Sequence, residues 1–396
     1  MELTESQRQW LTLALVPGVG STLFIRLLAR FGRPEVALRA AEAELAEVVG
    51  PQVAHRIRQY GEFVDVEAQE RLMRQCDTRL VTMDDPAYPP LLAEIYDPPL
   101  VLFTRGDLLE ADHCAVAIVG TRKPTNYGVD MAERLGADLA ARGITVISGM
   151  AEGIDAAAHR GALQAGGRTI AVVGSGADQV FPAMHADLMR EIIQNGAVVS
   201  MFPMGMPAMG GNFPRRNRVI SGLALGIIVV EAGPTSGSLI TARHAAEQGR
   251  EVFAVPGRAG HPCSMGPHAL IREGAKLVES VNDVLVELNL PVSAHQVPPP
   301  PAESQLSLPI EQGTEKKPAR RMTAGGGCPT LPEPTPCPPV SAVESDILSM
   351  LSPDGSFVDE ISLTCRIPVS EALSALTMLE LKGMVRQFSG KRFAPR

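Results

Sequence analysis

Aromatic side chains are scarce in this sequence. Tryptophan occurs once, tyrosine four times and phenylalanine eleven times in 396 residues, so a ring beside charge marks a place to look. Positive charge is not in excess either. Lysine and arginine number 36 against 44 aspartates and glutamates, a formal net charge of -8. That balance excludes a surface that attracts nucleic acid as a whole. It leaves room for a local basic groove, because exposed charges are screened beyond about 10 Å. No apolar run reaches the roughly eighteen residues of a membrane span, so no membrane insertion is expected. The start, MELTESQRQW, is polar and lacks the basic-then-apolar pattern of a secretory leader. The six cysteines (Cys76, Cys114, Cys263, Cys328, Cys337 and Cys365) contain no C-x-x-C pair, which argues against a disulfide framework or a zinc site. Two nucleotide fingerprints, G-x-G-x-x-G and G-x-x-x-x-G-K-[ST], are also absent. These absences lead to the expectation of a cytoplasmic protein with reduced thiols, no metal and no cofactor.

What is present divides by composition into four regions. Residues 1–78 read as short helices. Residues 79–290 alternate apolar, β-branched runs with helical segments. Residues 291–340 are rich in proline, glycine, serine and charge, and predict an extended, disordered spacer. Residues 341–396 recover a helical period and end in a hairpin. In the first region, LVPGVGSTLFIRLLARFG places Gly18 and Gly20 at a tight turn before an amphipathic helix, and LAEVVGPQVAHRIRQY repeats the pattern more weakly around Gly50. Paired turns of this kind resemble a helix-hairpin-helix or SAM-like module. Such turns can offer backbone N–H groups to a phosphate, but these carry little positive charge, so packing or protein contact is the favoured role.

Six runs in the second region predict strands: 115–120, 144–149, 168–174, 197–201, 226–233 and 251–257. Several are apolar throughout rather than alternating, the mark of strands buried on both faces of a parallel sheet. Helices are expected at Tyr127–Ala141, Ile154–Ala165, Met184–Gln194, Pro214–Leu225 and Leu239–Gln248. This alternation predicts an α/β fold, a Rossmann-like doubly wound parallel sheet.

Ligands of such sheets bind outside the carboxyl ends of the strands, and the polar motifs fall there. Gly120, Thr121, Arg122 and Lys123 follow the first run. Ser148 and Gly149 end the second and precede a helix start, where unpaired N–H groups favour an anion. Phe213, Arg215, Arg216, Asn217 and Arg218 follow the fourth, and Ser236, Gly237 and Ser238 follow the fifth. Guanidinium groups this close repel one another unless an anion or carboxylates neutralise them, so GTRK and FPRRNR are read as phosphate-binding. GSGAD after the third run is read as a plain βα turn. Arginine–phosphate contacts beside a ring suit single-stranded nucleic acid, whose unpaired bases stack. For Phe213 the sequence leaves two roles open, base stacking and packing at the start of the next helix. Asp155 and His159, four apart, are read as a helix-stabilising pair rather than catalytic groups. Glu231 and His244 are read as structural. His261, Cys263 and His268 match no zinc spacing.

Together, VGTRKPTNYG, SGMAEGIDAAAHRGAL, GRTIAVVGSG, FPRRNRVISGLA, SGSLITARHAAEQGREVFAVPG and GPHALIREGAKLV resemble the DprA/Smf family of DNA-processing proteins, in the family's order. YPPLLAEIYDPPLVLFTRG resembles its lead-in, and residues 341–396 its winged-helix module. The resemblance implies a cytoplasmic homodimer that binds single-stranded DNA, protects it during natural transformation and loads the RecA recombinase, with no catalytic activity. It implies phosphate contacts at Gly120, Thr121 and Arg122 and at the loops of Ser148–Gly149 and Ser236–Ser238. Phe213 would touch a base, and Arg215, Arg216 and Arg218 would line or brace the groove. There are departures. The family's S-E-[YF]-P reads SMFP, its Y-P-x-x-N reads FPAMH, and Thr235 and Gly210 stand where members can carry lysine. Weaker or more salt-sensitive binding is therefore expected. The third helix of the last module carries Glu371 and Glu380, which predicts protein contact or weak DNA contact through Lys391 and Arg392 rather than groove reading. A rival is a nucleotide hydrolase of the lysine-decarboxylase-like group. Its P-G-G-x-G-T-x-x-E loop reads AGPTSGSLITA here, without the catalytic glutamate. A third reading is an adaptor that binds proteins through its two end modules.

Overall fold

The computed structural model describes residues 2–290, 342–351, 356–365, 367–382, 384–388 and 392–395. The predicted spacer, 291–340, and Lys391 lie outside the described residues. The chain divides into two compact units, Met1–Glu303 and Ser304–Arg396.

Seven helices come first: α1 (Glu5–Leu15), α2 (Ser21–Phe31), α3 (Pro34–Arg39), α4 (Glu42–Val49), α5 (Pro51–Arg58), α6 (Tyr60–Phe63) and α7 (Val66–Gln75). Thr4 begins α1 with a capping box shared with Gln7. The turn between α1 and α2 needs Gly18, whose φ of 94° suits a residue without Cβ. The carbonyl of Pro17 in this turn accepts from Arg56 Nη1 of α5 at 3.1 Å. Trp10 of α1 stacks on Phe24 of α2 with centroids 4.9 Å apart.

The sheet follows: β1 (Thr78–Thr82), α8 (Pro90–Ala93), β2 (Val101–Gly106), β3 (Ala115–Val119), α9 (Asn126–Ala140), β4 (Thr145–Ser148), α10 (Ile154–Gln164), β5 (Thr169–Val172), α11 (Ala186–Asn195), β6 (Gly196–Ser200), α12 (Asn212–Gly222), β7 (Gly226–Val229), α13 (Gly237–Glu247), β8 (Glu251–Ala254), α14 (Met265–Arg272), β9 (Lys276–Leu277) and α15 (Val281–Glu287). Its order is β1-β2-β6-β5-β4-β3-β7-β8-β9. The strands from β6 to β9 run parallel, whereas β1 pairs β2, and β2 pairs β6, antiparallel. The chain lays down β3 to β6 on one side and then returns to place β7 and β8 on the other. The crevice between β3 and β7 is therefore the switch point where such sheets bind ligands.

The six predicted strands all form. The antiparallel extension β1–β2 and the two-residue β9 are additions that the sequence reading did not identify as strands. Strand alternation sends Val116 and Ile118 to one face and Ala115, Ala117 and Val119 to the other. Helices α9, α10 and α15 cover the first face and α8, α12 and α13 the second. That double cover is why the runs read apolar at every position. The N-terminal helices share a core with the antiparallel end: Leu11, Phe24, Leu27 and Ile57 pack with Leu80, Val101 and Phe103.

In the second unit, α16 (Ala342–Met350), β10 (Ser356–Phe357), α17 (Val358–Cys365), α18 (Val369–Leu381), β11 (Val385–Phe388) and β12 (Arg392–Pro395) form three helices and a sheet of order β10-β12-β11. Ile347, Val358, Ile361, Leu376, Leu379 and Phe393 make its core. Glu371, Ser374 and Met378 are exposed on α18 at helical spacing.

Helices α9 and α10 touch through two glycines. A Cβ on Gly136 would meet the Ala158 carbonyl oxygen, and one on Gly161 the Glu133 carbonyl oxygen. Gly→Ala inside a helix ordinarily stabilises by about 1 kcal/mol. Here the overlap is with backbone, and relieving it moves a helix, at about 1–3 kcal/mol. Gly161→Ala is expected to lower the melting temperature. An unchanged or raised value would show that the two helices have room to part.

Candidate nucleic-acid interface

Gly120 leaves β3 at a point where a Cβ would lie 2.6 Å from Ile154 Cγ1 and 2.9 Å from the Glu231 carbonyl oxygen. Only glycine fits without displacement. The next residue is held on both sides. Thr121 N donates to the Glu231 carbonyl at 2.7 Å, and Ile154 N donates to the Thr121 carbonyl at 3.2 Å. The loop is thus pinned between β7 and the start of α10. Glu231 is buried, and its carboxylate accepts from Thr125 N at 2.8 Å and Thr125 Oγ1 at 2.6 Å. It clamps the residue that caps α9, in line with its structural reading. Arg122 and Lys123, by contrast, are exposed. Neither has a carboxylate partner among the described residues.

NFPRRNRVISG is helical throughout as α12, which starts two residues before the expected Pro214. At 3.6 residues per turn, Phe213, Arg216, Asn217 and Ile220 share one face, and all four line a cleft. Arg216 is buried, with 4% of its surface exposed. Its Nη1 donates to the Gly149 carbonyl at 2.7 Å and also to the Val172 carbonyl, so it spans the ends of β4 and β5. Burial pulls its pKa down to about 10, opposed by Asp155, and it stays charged at neutral pH. Burial pushes the Asp155 carboxyl up, against the pull of Arg216 and of the Ala151 N–H. Gly149 lies between the two charges, since a Cβ there would overlap Arg216 Nη1 and Asp155 Oδ2.

The remaining arginines diverge. Arg218 pairs with Asp97 at 3.2 Å and is mostly covered. Arg215 is exposed, its guanidinium 5.5 Å from the Phe202 centroid. Asn217 Nδ2 donates to the Gly237 carbonyl at 3.3 Å, tying α12 to the start of α13. There Ser236 caps the helix, and its hydroxyl lies 2.8 Å from that of the buried Ser238. Ser148 is wholly buried and donates to the Ile118 carbonyl at 2.6 Å. Its hydroxyl stitches β4 to β3 below the rim rather than facing a ligand.

The structure brings Gly120, Thr121, Arg122, Lys123, Phe213, Arg216, Asn217, Ser236, Gly237 and Ser238 around one cleft of about 460 Å³ at the switch point. Of the other expected residues, Gly149 lines only an adjoining cleft of about 180 Å³, whereas Ser148, Arg215 and Arg218 line neither. Phe213 and Arg122 border both, with Arg122 Cζ 5.2 Å from the ring centroid. Phe213 packs over Gly174, where a Cβ would come within 2.9 Å of its ring. The glycine of the GSGAD turn is thus a seat for the aromatic as well as a turn. Sequence reasoning missed Asp155 as a cleft residue and Phe181 as a second ring, 5.7 Å from Phe213. The signal for Phe181 was its place in FPAMH at the end of the β5 loop.

Asp155 and His159 do not pair, which corrects the sequence reading: α10 turns them to different partners. Asp155 faces Arg216. His159 Nδ1 lies 2.6 Å from Thr169 Oγ1, whose own proton goes to the Val146 carbonyl at 2.7 Å. The Thr169 oxygen therefore accepts, which fixes the proton on Nδ1 and leaves the buried Nε2 without a partner. Burial, with His185 and Arg216 nearby, lowers its pKa to about 3. His244 Nδ1 lies 3.4 Å from a Glu247 carboxylate oxygen. His261 Nδ1 accepts from Cys263 N at 3.3 Å. No metal-holding group of three His, Cys, Asp or Glu side chains exists among the described residues, and no helix there is long and apolar enough to cross a membrane.

A doubly wound α/β sheet with a cationic, aromatic-edged cleft at its switch point, followed by a winged helix, defines the class. Residues 79–289 match the family described as DNA recombination-mediator protein A, and residues 331–391 match the DprA winged helix domain. The chain belongs to the DprA/Smf family of DNA-processing proteins. It is 37% identical to Protein Smf of Escherichia coli over 89% of this chain and 88% of that one. It is 45% identical to the DNA processing protein DprA of Streptococcus pneumoniae over 51% and 72% of the two chains. The X-ray structure of the S. pneumoniae protein superposes with a TM-score of 0.64 at 35% identity, covering 72% of this chain and 99% of that one.

Two outcomes test the wall. Arg216→Ala strands the buried Asp155 and two carbonyl groups, and is expected to cost about 3–5 kcal/mol. A loss below about 1 kcal/mol by urea unfolding would show that the guanidinium is not a brace. His159 stays neutral when folded but binds a proton near pH 6.5 when unfolded. Its contribution is intact above pH 6.5 and is lost toward pH 3 at about 1.4 kcal/mol per unit. His159→Gln is expected to flatten stability between pH 6.5 and 4. An unchanged acid limb would place the sensitive group elsewhere.

Proposed function

We propose that the cleft binds single-stranded DNA and that the chain acts as a recombination mediator, keeping bound strands protected and passing them to the RecA recombinase. The observation that carries this reading is Arg122 and Lys123, exposed and unpaired with any described carboxylate, beside a partly buried Phe213. Charge that tracks a phosphate backbone next to a ring that accepts an unpaired base is what a single strand requires. Membership of a family described as recombination mediators supports the recombinase as partner.

On this reading Arg122, Lys123, the Thr121 hydroxyl and the start of α13 at Ser236–Ser238 hold phosphates, and Phe213 takes a base. Ser148, Gly149, Arg216, Asn217 and Arg218 build and brace the wall, while Arg215 adds charge at its edge. A homodimer through the α/β unit fits β9, an edge strand with Leu277 exposed. A cytoplasmic place and the absence of catalysis belong to the same reading. The rival nucleotide hydrolase gains nothing from Glu231, whose carboxylate is occupied by Thr125.

The test is a salt-dependent titration of labelled single- and double-stranded oligonucleotides. Single strands are expected to bind more tightly, with a negative slope of log affinity on log salt. Arg122→Ala is expected to weaken binding and reduce that slope by about 0.7, one phosphate's worth for a single strand. Equal affinity of Arg122→Ala and wild type at moderate salt would remove the cleft from the function.

A further inference from the structure

Phe181 sits 32 residues before Phe213 in the chain. It is exposed over 47% of its surface, and among the described phenylalanines only it and Phe63 are so open. It lies with Phe213, Arg122 and Lys123 around the smaller cleft, about 180 Å³, which adjoins the larger one across the Phe213–Arg122 ridge. The rings are 5.7 Å apart with planes 44° apart. They touch one another, so no base fits between them.

A lone exposed ring needs no explanation. An exposed ring joined to a second one, at the edge of a cleft with two unpaired cations, makes a stacking platform. Phe213 is fixed from below by Gly174 and flanked by Arg122 at 5.2 Å and Arg216 at 5.9 Å. Among the described residues no cation lies over the Phe181 ring, and it is the more open of the two, which leaves it accessible to a ligand. Two cations and a tilted pair of rings around one cleft suit a backbone that passes Arg122 and Lys123 while adjacent bases splay.

We propose that Phe181 is a second base-stacking residue, so that the site engages two consecutive unpaired bases, one on Phe213 and one on Phe181. This rests on the single-strand reading above and deepens it. The ligand is then at least a dinucleotide step rather than a mononucleotide. Stacking on a ring is tolerant of base identity, so no sequence preference arises from this pair.

The experiment compares a short thymidine oligonucleotide with an all-abasic oligonucleotide of equal length, using wild type, Phe181→Ala, Phe181→Leu and Phe181→Tyr. Phe181→Ala is expected to weaken thymidine binding about tenfold, within the range for loss of one stacked base, and to leave abasic binding unchanged. Phe181→Leu, which keeps the bulk without the π face, is expected to follow Phe181→Ala, and Phe181→Tyr to follow wild type. Equal weakening toward both oligonucleotides would make Phe181 a structural residue, and no weakening toward either would make it a bystander; each overturns the proposal. Arg122→Ala in the same assay separates the two levels. If it too leaves thymidine binding unchanged, the single-strand site itself fails. If it weakens binding while Phe181→Ala does not, only the second ring fails.

Discussion

The cleft depends on one buried guanidinium. Parallel strands end with carbonyl groups that have no further neighbour to pair with, and a crevice opens where the winding reverses. Arg216 closes part of that gap by donating to the ends of β4 and β5 at Gly149 and Val172. A buried cation is costly unless its protons are satisfied and a counter-charge is near. The two carbonyl groups accept from Nη1 and Asp155 is the nearby counter-charge, whereas the buried Nε has no partner among the described residues. Gly149 follows as a necessity, because any side chain there would enter the space between guanidinium and carboxylate. Once Arg216 is fixed, the first turn of α12 is fixed, and with it Phe213 over Gly174 and the ridge shared with Arg122.

Helical geometry divides the labour within NFPRRNR. Residues three and four apart share a face, so Phe213, Arg216 and Asn217 turn to the cleft. Arg215 points elsewhere and Arg218 meets Asp97. Three guanidinium groups adjacent in sequence thus have three fates: exposed, buried as a brace, and ion-paired. The mutual repulsion that the sequence suggests is relieved by that dispersal rather than by one shared anion. The exposed positive charge of the cleft comes instead from Arg122 and Lys123, on a loop ninety residues earlier.

Much of this was legible in the sequence because it rests on local pattern. Apolar runs at every position announced strands covered on both faces, and polar motifs at their ends announced the rim. The antiparallel β1 and β2 were not announced as strands, because both are short and nothing in their local pattern ties them to the parallel sheet that β2 joins through β6. The depth of a residue below the rim was hidden as well. Ser148 looks like a ligand-facing hydroxyl in sequence, yet as the last residue of a central strand it is wrapped by its neighbours. Asp155 and His159 invited pairing by their spacing, but both look inward to partners on other elements, Arg216 and Thr169. Phe181 had only the FPAMH motif to mark it, because its neighbour in space comes through sheet order. The loop after β5 and the start of α12 meet only when both are placed over β5.

On the proposed single-strand reading, an acidic chain must hold a polyanion, so its local field has to differ from its net charge. The carboxylates nearest the cleft are arranged to give that difference. Glu231 is consumed by the cap of α9. Asp155 is set against Arg216, and burial drives its carboxyl toward the neutral form. At the larger cleft the charges left facing solvent are Arg122 and Lys123, within a Debye length of any phosphate that enters, while the exposed Glu152 lines the smaller one. The acidic remainder of the surface then repels the same polyanion elsewhere. On that reading affinity is confined to the place where cations and rings coincide, and the weak non-specific adhesion that a basic protein would carry over its whole surface is suppressed.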